Sequence, residues 1–185
     1  MASLTERMIG AARLDAATYN EVEADQTATG QAMLVVVLSS VAAGIGAGDG
    51  GVVAMVIASV IALVSWGVWA GVVFLVGTKL LAEPQTRADW GELLRTIGFS
   101  TSPGLLRVVG LVPGLGAILN FLIGLWMLAA MVVAVREALD YSGTGRAVAV
   151  CVIGFLIYLA VAMVFGVVLG VTALGMGAAA GAAAS

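Results

Sequence analysis

The sequence predicts an all-α integral membrane protein, a five-span transmembrane helical bundle with amphipathic helices at its N-terminus and between two spans. Three observations predict this class. Of the 185 residues, 62% are hydrophobic and 10% are charged, whereas a soluble domain is about 45–50% apolar and about 25% charged. The mean hydropathy is +1.13. Several apolar runs also approach the length of about 20 residues that a helix needs to cross a bilayer.

The N-terminal segment, residues 1–29, is acidic and precedes the first apolar run. We predict that it is cytoplasmic and that residues 4–23 form one amphipathic helix near the membrane. One loose helical face of this segment is apolar and comprises Met8, Ala11, Ala12, Tyr19 and Val22. The membrane domain then occupies residues 30–171, and a Gly/Ala-rich tail occupies residues 172–185.

The five predicted spans follow the apolar runs in chain order, and lie at residues 28–47, 52–77, 99–112, 115–135 and about 147–171. The third run is short and is interrupted by Pro103 and Arg107. Pro113 and Gly114 then break the chain before the fourth run.

The distribution of cations favours five spans over four. Loops that are rich in Lys and Arg stay in the cytoplasm. With five spans, one side of the membrane holds seven cations, namely Arg7, Arg13, Lys79, Arg87, Arg95, Arg136 and Arg146. If residues 99–112 only dip into the membrane and return, the split becomes five to two. The first arrangement predicts a cytoplasmic N-terminus and an external C-terminus in the cell's inner membrane.

Between the second and third spans, apolar side chains repeat with the period of a helix at Trp90, Leu93, Leu94 and Ile97. This i, i+3, i+4, i+7 spacing gives one apolar face. We interpret it as an interfacial helix on the cytoplasmic leaflet. The alternative is a solvated loop with accidental periodicity.

Arg107 is the single ionisable residue inside a predicted span. Such a residue marks a functional site by default. It can instead anchor the bundle, either by reaching the cytoplasmic headgroups or by pairing with Glu137 or Asp140. Arg136 lies beside Glu137 at the end of the fourth span. Asn120 is interpreted as an interhelical hydrogen-bonding residue before a ligand contact.

The residue inventory argues against several kinds of chemistry. The sequence contains no histidine and one cysteine, Cys151. Histidine is the usual general base and the commonest metal ligand, so we expect no enzymatic activity, no cofactor and no metal site. No basic patch predicts nucleic-acid binding. The lipid bilayer is the expected partner, with other membrane proteins or further copies of the chain as additional candidates.

Several motifs resemble the Yip (Ypt-interacting protein) domain family in its prokaryotic form. These are YNEVEADQTATGQA from Tyr19, WGELLRTIGFSTSPGLLR from Trp90, VPGLG from Val112, LWML from Leu125, VREAL from Val135 and GRAVAV from Gly145. The resemblance covers about residues 19–170. It implies a five-span bundle with a cytoplasmic N-terminus. Eukaryotic members act with Rab-type GTPases in vesicle traffic, through a longer N-terminal region whose aspartate-leucine-tyrosine-glycine-proline motif has no counterpart in this sequence.

Two functional hypotheses follow. The first is a non-enzymatic membrane-organising protein, or a scaffold or accessory subunit. The second is a passive channel or small-molecule transporter, in which Arg107 and Asn120 line a path at the Pro113–Gly114 break. Broken helices mark transporter sites, although such folds usually contain internal repeats, which this sequence lacks.

Overall fold

The computed structural model describes residues 2–48, 51–161 and 163, and within these residues it is helical with no strand. The α-helices are α1 (Leu4–Ala12), α2 (Ala16–Ala24), α3 (Ala28–Ala47), α4 (Val52–Leu75), α5 (Trp90–Ser100), α6 (Gly116–Ala138) and α7 (Thr144–Val161). A π-helical turn, Val76–Leu80, continues α4, and a 3₁₀ helix, Ser102–Leu111, follows α5. The predicted all-α class is confirmed for this part of the chain.

Four helices are long and apolar enough to cross a membrane, namely Ala28–Ala47, Val52–Leu80, Gly116–Ala138 and Thr144–Val161. Their outward side chains are apolar, as Val52, Val64 and Phe121 on two of them illustrate with 62–77% exposure. Exposing so much apolar surface is unfavourable in water but not in the acyl-chain region of a bilayer. The predicted first, second and fourth spans and the start of the fifth are helical. Residues 164–171 of the fifth span and the tail lie outside the described residues.

The third predicted span, residues 99–112, is not one α-helix. The α-helix ends at Ser100, and the chain continues as the 3₁₀ helix. Pro103 explains the change, because it has no N–H to donate to the carbonyl four residues before it. That carbonyl, on Phe99, instead accepts a hydrogen bond of 2.6 Å from the Ser102 hydroxyl.

This broken segment nevertheless runs alongside α3. Three glycines leave no room for a Cβ against α3. Gly98, near the end of α5, lies against Ala32, and in the 3₁₀ helix Gly104 lies against Ser39 and Gly110 against Gly46. Residues 98–110 therefore run parallel to α3 from Ala32 to Gly46, over about 21 Å. We call α5 and the 3₁₀ helix together the α5–3₁₀ segment. We call the end where α3 begins and α6 ends the proximal end, and the opposite end the distal end.

The N-terminal segment forms two helices rather than the single helix predicted for residues 4–23. The helices α1 and α2 are joined at Leu14, which has a φ of 63°, and Asp15 caps α2 through the amide of Ala17. The Tyr19 hydroxyl donates a 3.1 Å hydrogen bond to the carbonyl of Ala11, across the pair. We call α1 and α2 together the N-terminal hairpin.

Two hydrophobic clusters hold the bundle together. One joins α4, α5, α6 and α7 at the proximal end, around Leu93, Ile97 and Leu139. The other packs the N-terminal hairpin on α3, α5 and α6, around Tyr19 and Phe99. Since α5 contributes to both clusters, it is the central element of the described fold.

Candidate functional site

A cavity of about 370 Å³ lies at the centre of the bundle, between α3, α4, α6, α7 and the α5–3₁₀ segment. Its wall is mainly apolar. The polar side chains on it are Ser39, Ser40, Ser65, Thr101, Arg107 and Tyr158. An apolar cavity with a few converging polar groups is the usual form of a small-molecule site.

Several polar groups on or beside this cavity have partners in the protein. Thr101 donates a 2.7 Å hydrogen bond to the carbonyl of Gly98, and the hydroxyls of Ser40 and Ser59 lie 3.3 Å apart. The indole N–H of Trp66 donates to the carbonyl of Leu94 at 3.0 Å. These groups therefore shape the wall.

Arg107 differs from these residues. It is partly buried and lines the cavity, and among the described residues no carboxylate lies within 4.0 Å of its guanidinium. Its backbone carbonyl lies against Gly46, two residues from the distal end of α3. A guanidinium that has no carboxylate beside it in the described part of the chain can bind an anion.

The pairing of Arg107 with Glu137 or Asp140 that was considered from the sequence is not formed. Glu137 pairs with the adjacent Arg136 at the proximal end of α6. The short distance from Pro103 suggested that Arg107 reaches the cytoplasmic side, but Pro103 is itself buried within the bundle. The α5–3₁₀ segment enters the bundle at Trp90, so Arg107 lies near the opposite end.

A second cavity, of about 450 Å³, adjoins the first between α6 and α7. Its wall is almost wholly apolar and includes Leu128, Cys151 and Val152. Three residues line both cavities, namely Trp69, Met131 and Phe155. The two cavities therefore adjoin across these three side chains, and one is cationic while the other is apolar.

Asn120 and the Pro113–Gly114 break lie outside the walls of these cavities. Asn120 lies beside Gly110, where its Nδ2 is 2.6 Å from the place a Cβ would occupy. Gly114 turns the chain with a φ of 78°, a conformation that favours glycine. These residues form the distal turn into α6.

The helix predicted from Trp90, Leu93, Leu94 and Ile97 is present as α5. Asp89 and Glu92 form a reciprocal capping box at its start. The apolar face, however, packs on the bundle rather than on a bilayer surface, because Leu93 and Ile97 are 0% and 1% exposed. Trp90 packs beside Gly67 and Gly71 and donates a 3.3 Å hydrogen bond to the carbonyl of Gly67. An amphipathic pattern alone cannot distinguish lipid from a neighbouring helix as the partner of its apolar face.

Comparison with protein-family models gives a match to the Yip1 domain over residues 16–165. The chain belongs to the Yip1 domain family. The match extends from α2 through α7, so it contains both cavities and Arg107, while α1 precedes it. No curated protein matches the chain, and no solved structure does. The match to the Yip1 domain confirms the resemblance to this family that the sequence motifs indicated.

Two buried arginines, Arg7 and Arg95, attach the N-terminal hairpin to the rest of this Yip1-domain protein. Arg7 pairs with Glu21 at 2.9 Å and with Asp25 at 2.6 Å, and it donates to Gln31 of α3 at 3.0 Å. Hydrogen bonds from Thr27 and then from Arg7 lower the pKa of Asp25 to about 2. The composition shows that this segment is acidic, but it does not show that Arg7 forms ion pairs with two of its carboxylates.

Arg95 caps the C-terminal end of α2. Its Nε donates 3.0 Å hydrogen bonds to the carbonyls of Val22 and Glu23, which are among the last carbonyls of the helix and carry partial negative charge. Burial, followed by repulsion from Glu92 and Asp140, raises the pKa of Glu23 to about 7. Arg95 was predicted only as a cytoplasmic loop charge, because no local pattern shows what lies 72 residues away.

The proximal loops are joined by a second charged contact. Arg146 pairs with Glu83 at 3.2 Å, and Glu83 also accepts a 3.0 Å hydrogen bond from the amide of Ser142. The Tyr141 hydroxyl donates to the carbonyl of Gly77 at 2.9 Å. The loops that follow α4 and α6 are therefore fixed to each other.

Proposed function

We propose that this Yip1-domain protein is a non-enzymatic, membrane-organising protein that crosses the bilayer five times with a cytoplasmic N-terminus. Four crossings are the long apolar helices. The α5–3₁₀ segment, third in chain order, is the additional crossing and follows α3 for about 21 Å. The seven cations counted above then lie on the cytoplasmic side or within the cytoplasmic leaflet, in agreement with the positive-inside rule.

A reporter fusion tests this topology. An alkaline phosphatase fused after Ser142 should be inactive and a fluorescent protein at the same site active, because Ser142 is on the cytoplasmic side. Fusions after Ser185 should show the reverse. A cytoplasmic reporter at both sites would exclude the five-crossing arrangement.

The observation that carries the organising role is the depth of the N-terminal hairpin. The indole N–H of Trp126 donates a 2.7 Å hydrogen bond to the carbonyl of Ala12. Trp126 lies ten residues from Arg136, which marks the cytoplasmic end of α6, or about 15 Å along the helix. That is half of a hydrocarbon core of about 30 Å. The hairpin thus adds cross-section to one leaflet only.

The chemistry of the hairpin supports a deforming effect on that leaflet. Ile9 is 47% exposed, which suits contact with acyl chains. Arg13 and Asp15 at the turn are exposed as well, and charges at that depth draw water and thin the bilayer locally. A wedge in one leaflet, combined with local thinning, favours curved membranes.

Curvature sorting tests the wedge. The chain is reconstituted into small and large vesicles of one lipid composition, and molecules with an outward hairpin are counted by protease access. We expect a higher density in small vesicles, and Ile9→Asp should reduce this preference. Asn20→Asp is the matched control, since it adds the same charge at an exposed position on α2. Equal densities for the wild-type chain would refute the wedge.

The wall chemistry supports a non-enzymatic role. The polar side chains of the central cavity are hydroxyls and one guanidinium. Catalysis of proton transfer usually requires histidine, a carboxylate or a comparable group tuned near neutral pH, and the sequence has no histidine.

The second candidate function is a passive channel or small-molecule transporter. Arg107 on the wall of the central cavity favours it, whereas the position of Asn120 outside that wall does not. An anion flux across reconstituted vesicles that Arg107→Gln abolishes would favour this candidate over the organising role.

A further inference from the structure

We infer that the two adjoining cavities form a binding site for an anionic lipid, with its acid group beside Arg107 and one acyl chain between α6 and α7. The site is independent of the wedge, since none of its residues belongs to the N-terminal hairpin. It requires only that the bundle is embedded in a membrane.

The charge of Arg107 is the first argument for this ligand. The guanidinium lines the central cavity without a carboxylate partner among the residues that the structure describes. A cation in an apolar region is costly unless an anion or hydrogen-bond acceptors compensate it. Arginine binds phosphate and carboxylate through parallel hydrogen bonds. The hydroxyl of Ser39 lies on the same wall and can donate a hydrogen bond to one of the ligand's remaining oxygens.

The second argument is the shape and polarity of the adjoining space. The cavity of about 450 Å³ between α6 and α7 presents aliphatic and aromatic surface almost exclusively. A small hydrophilic anion would leave this space unused. An acyl chain fills this space while its CH₂ groups stay out of water.

The third argument is access. Leu128, Val152 and Leu156 line the apolar cavity and are 62%, 53% and 57% exposed. They belong to two helices that can span the membrane, so this surface faces acyl chains. An acyl chain can therefore enter the apolar cavity sideways, directly from the bilayer.

Native mass spectrometry tests the site. The full chain is incorporated in nanodiscs that contain equal amounts of dioleoyl phosphatidylglycerol and dioleoyl phosphatidylcholine, and the lipids retained on release are identified. We expect the anionic lipid to be retained in preference. Arg107→Gln should lower its apparent affinity by about tenfold, as expected for loss of a hydrogen bond to a charged group. Arg87→Gln, at an exposed loop position, is the matched control and should behave as the wild type.

A second variant keeps the test decisive if Arg107→Gln fails to fold. Cys151→Phe fills the apolar cavity and leaves Arg107 intact, so it should weaken lipid retention as well. In detergent, titrations with oleate, oleyl alcohol and inorganic phosphate separate the contributions of acid and chain. Tighter binding of phosphatidylglycerol than of oleate assigns a phosphate to Arg107, and the reverse assigns a carboxylate. Equal retention of the two phospholipids by the wild type, or phosphate binding as tight as that of the lipid, would overturn the proposal.

Discussion

Gly46 offers the sharpest test of how the α5–3₁₀ segment packs on α3. A Cβ on Gly46 would overlap the carbonyl oxygen of Arg107 and lie 2.9 Å from its carbonyl carbon. Both atoms belong to the backbone, so no side-chain rotation can relieve the contact. Gly46→Ala must therefore push the 3₁₀ helix away from α3.

Gly30 provides a matched control in the same helix, because nothing lies within 4 Å of the Cβ it would gain. Both substitutions gain about 0.8–1.0 kcal/mol of helix propensity, and this gain cancels when the two variants are compared. The remaining difference is the overpacking cost, typically about 1–3 kcal/mol. At roughly 2–4 °C for each kcal/mol in a chain of this size, Gly46→Ala should unfold roughly 2–12 °C below Gly30→Ala.

Thermal unfolding in detergent, followed by tryptophan fluorescence, measures this difference. Gly110→Ala should reproduce it from the other side, because a Cβ there would lie 2.5 Å from the carbonyl oxygen of Gly46. If Gly46→Ala were as stable as Gly30→Ala, the inference that the α5–3₁₀ segment packs closely against α3 would be wrong.

The remaining predictions concern the N-terminal hairpin. The pKa of Glu23 is raised to about 7 from an ordinary value of 4.5, so the folded chain binds the proton more tightly than the unfolded chain and stability should fall as pH rises from 4.5 to 7. Glu23→Gln should remove this loss, giving a higher Tm than the wild type at pH 8 and a similar Tm at pH 4. Glu21→Gln, which removes a partner of Arg7, should not reproduce this gain at pH 8. Arg7→Met should release the hairpin and speed proteolytic cleavage before α3 by roughly tenfold, because it leaves the carboxylate of Asp25 without its buried partner. Arg13→Met, at an exposed position, should leave the cleavage rate unchanged, and equal rates for the two variants would contradict the role of Arg7.

Much of the fold could be predicted because its signals are local. Long apolar runs identify helices that can span the membrane, since each such helix satisfies its own backbone hydrogen bonds. The start of α5 was predictable for the same reason. Its apolar repeat begins at Trp90, next to the capping residues Asp89 and Glu92, so the signals are close together in the sequence. Pro103 was also correctly identified as a break.

The partners of these elements depend on contacts between distant parts of the chain. The periodicity of Leu93 and Ile97 was predicted, but their burial depends on α4 and α6 approaching α5. The turn at Leu14 divides a segment whose apolar pattern resembled one helix, because Tyr19 and Ala11 meet only when the chain folds back.

The same division applies to the candidate site. That a guanidinium lies within an apolar region at position 107 follows from the sequence, since a charge in such a run is visible without coordinates. Its surroundings do not follow, because pairing is a matter of distance: Glu137 was a plausible partner along the chain, yet it pairs with Arg136 at the proximal end. Composition and periodicity thus identify a membrane bundle and its one unusual charge. The approach of five helices around Trp69 and Met131 creates the cavities beside this charge, because a cavity exists only where side chains from separate helices fail to meet.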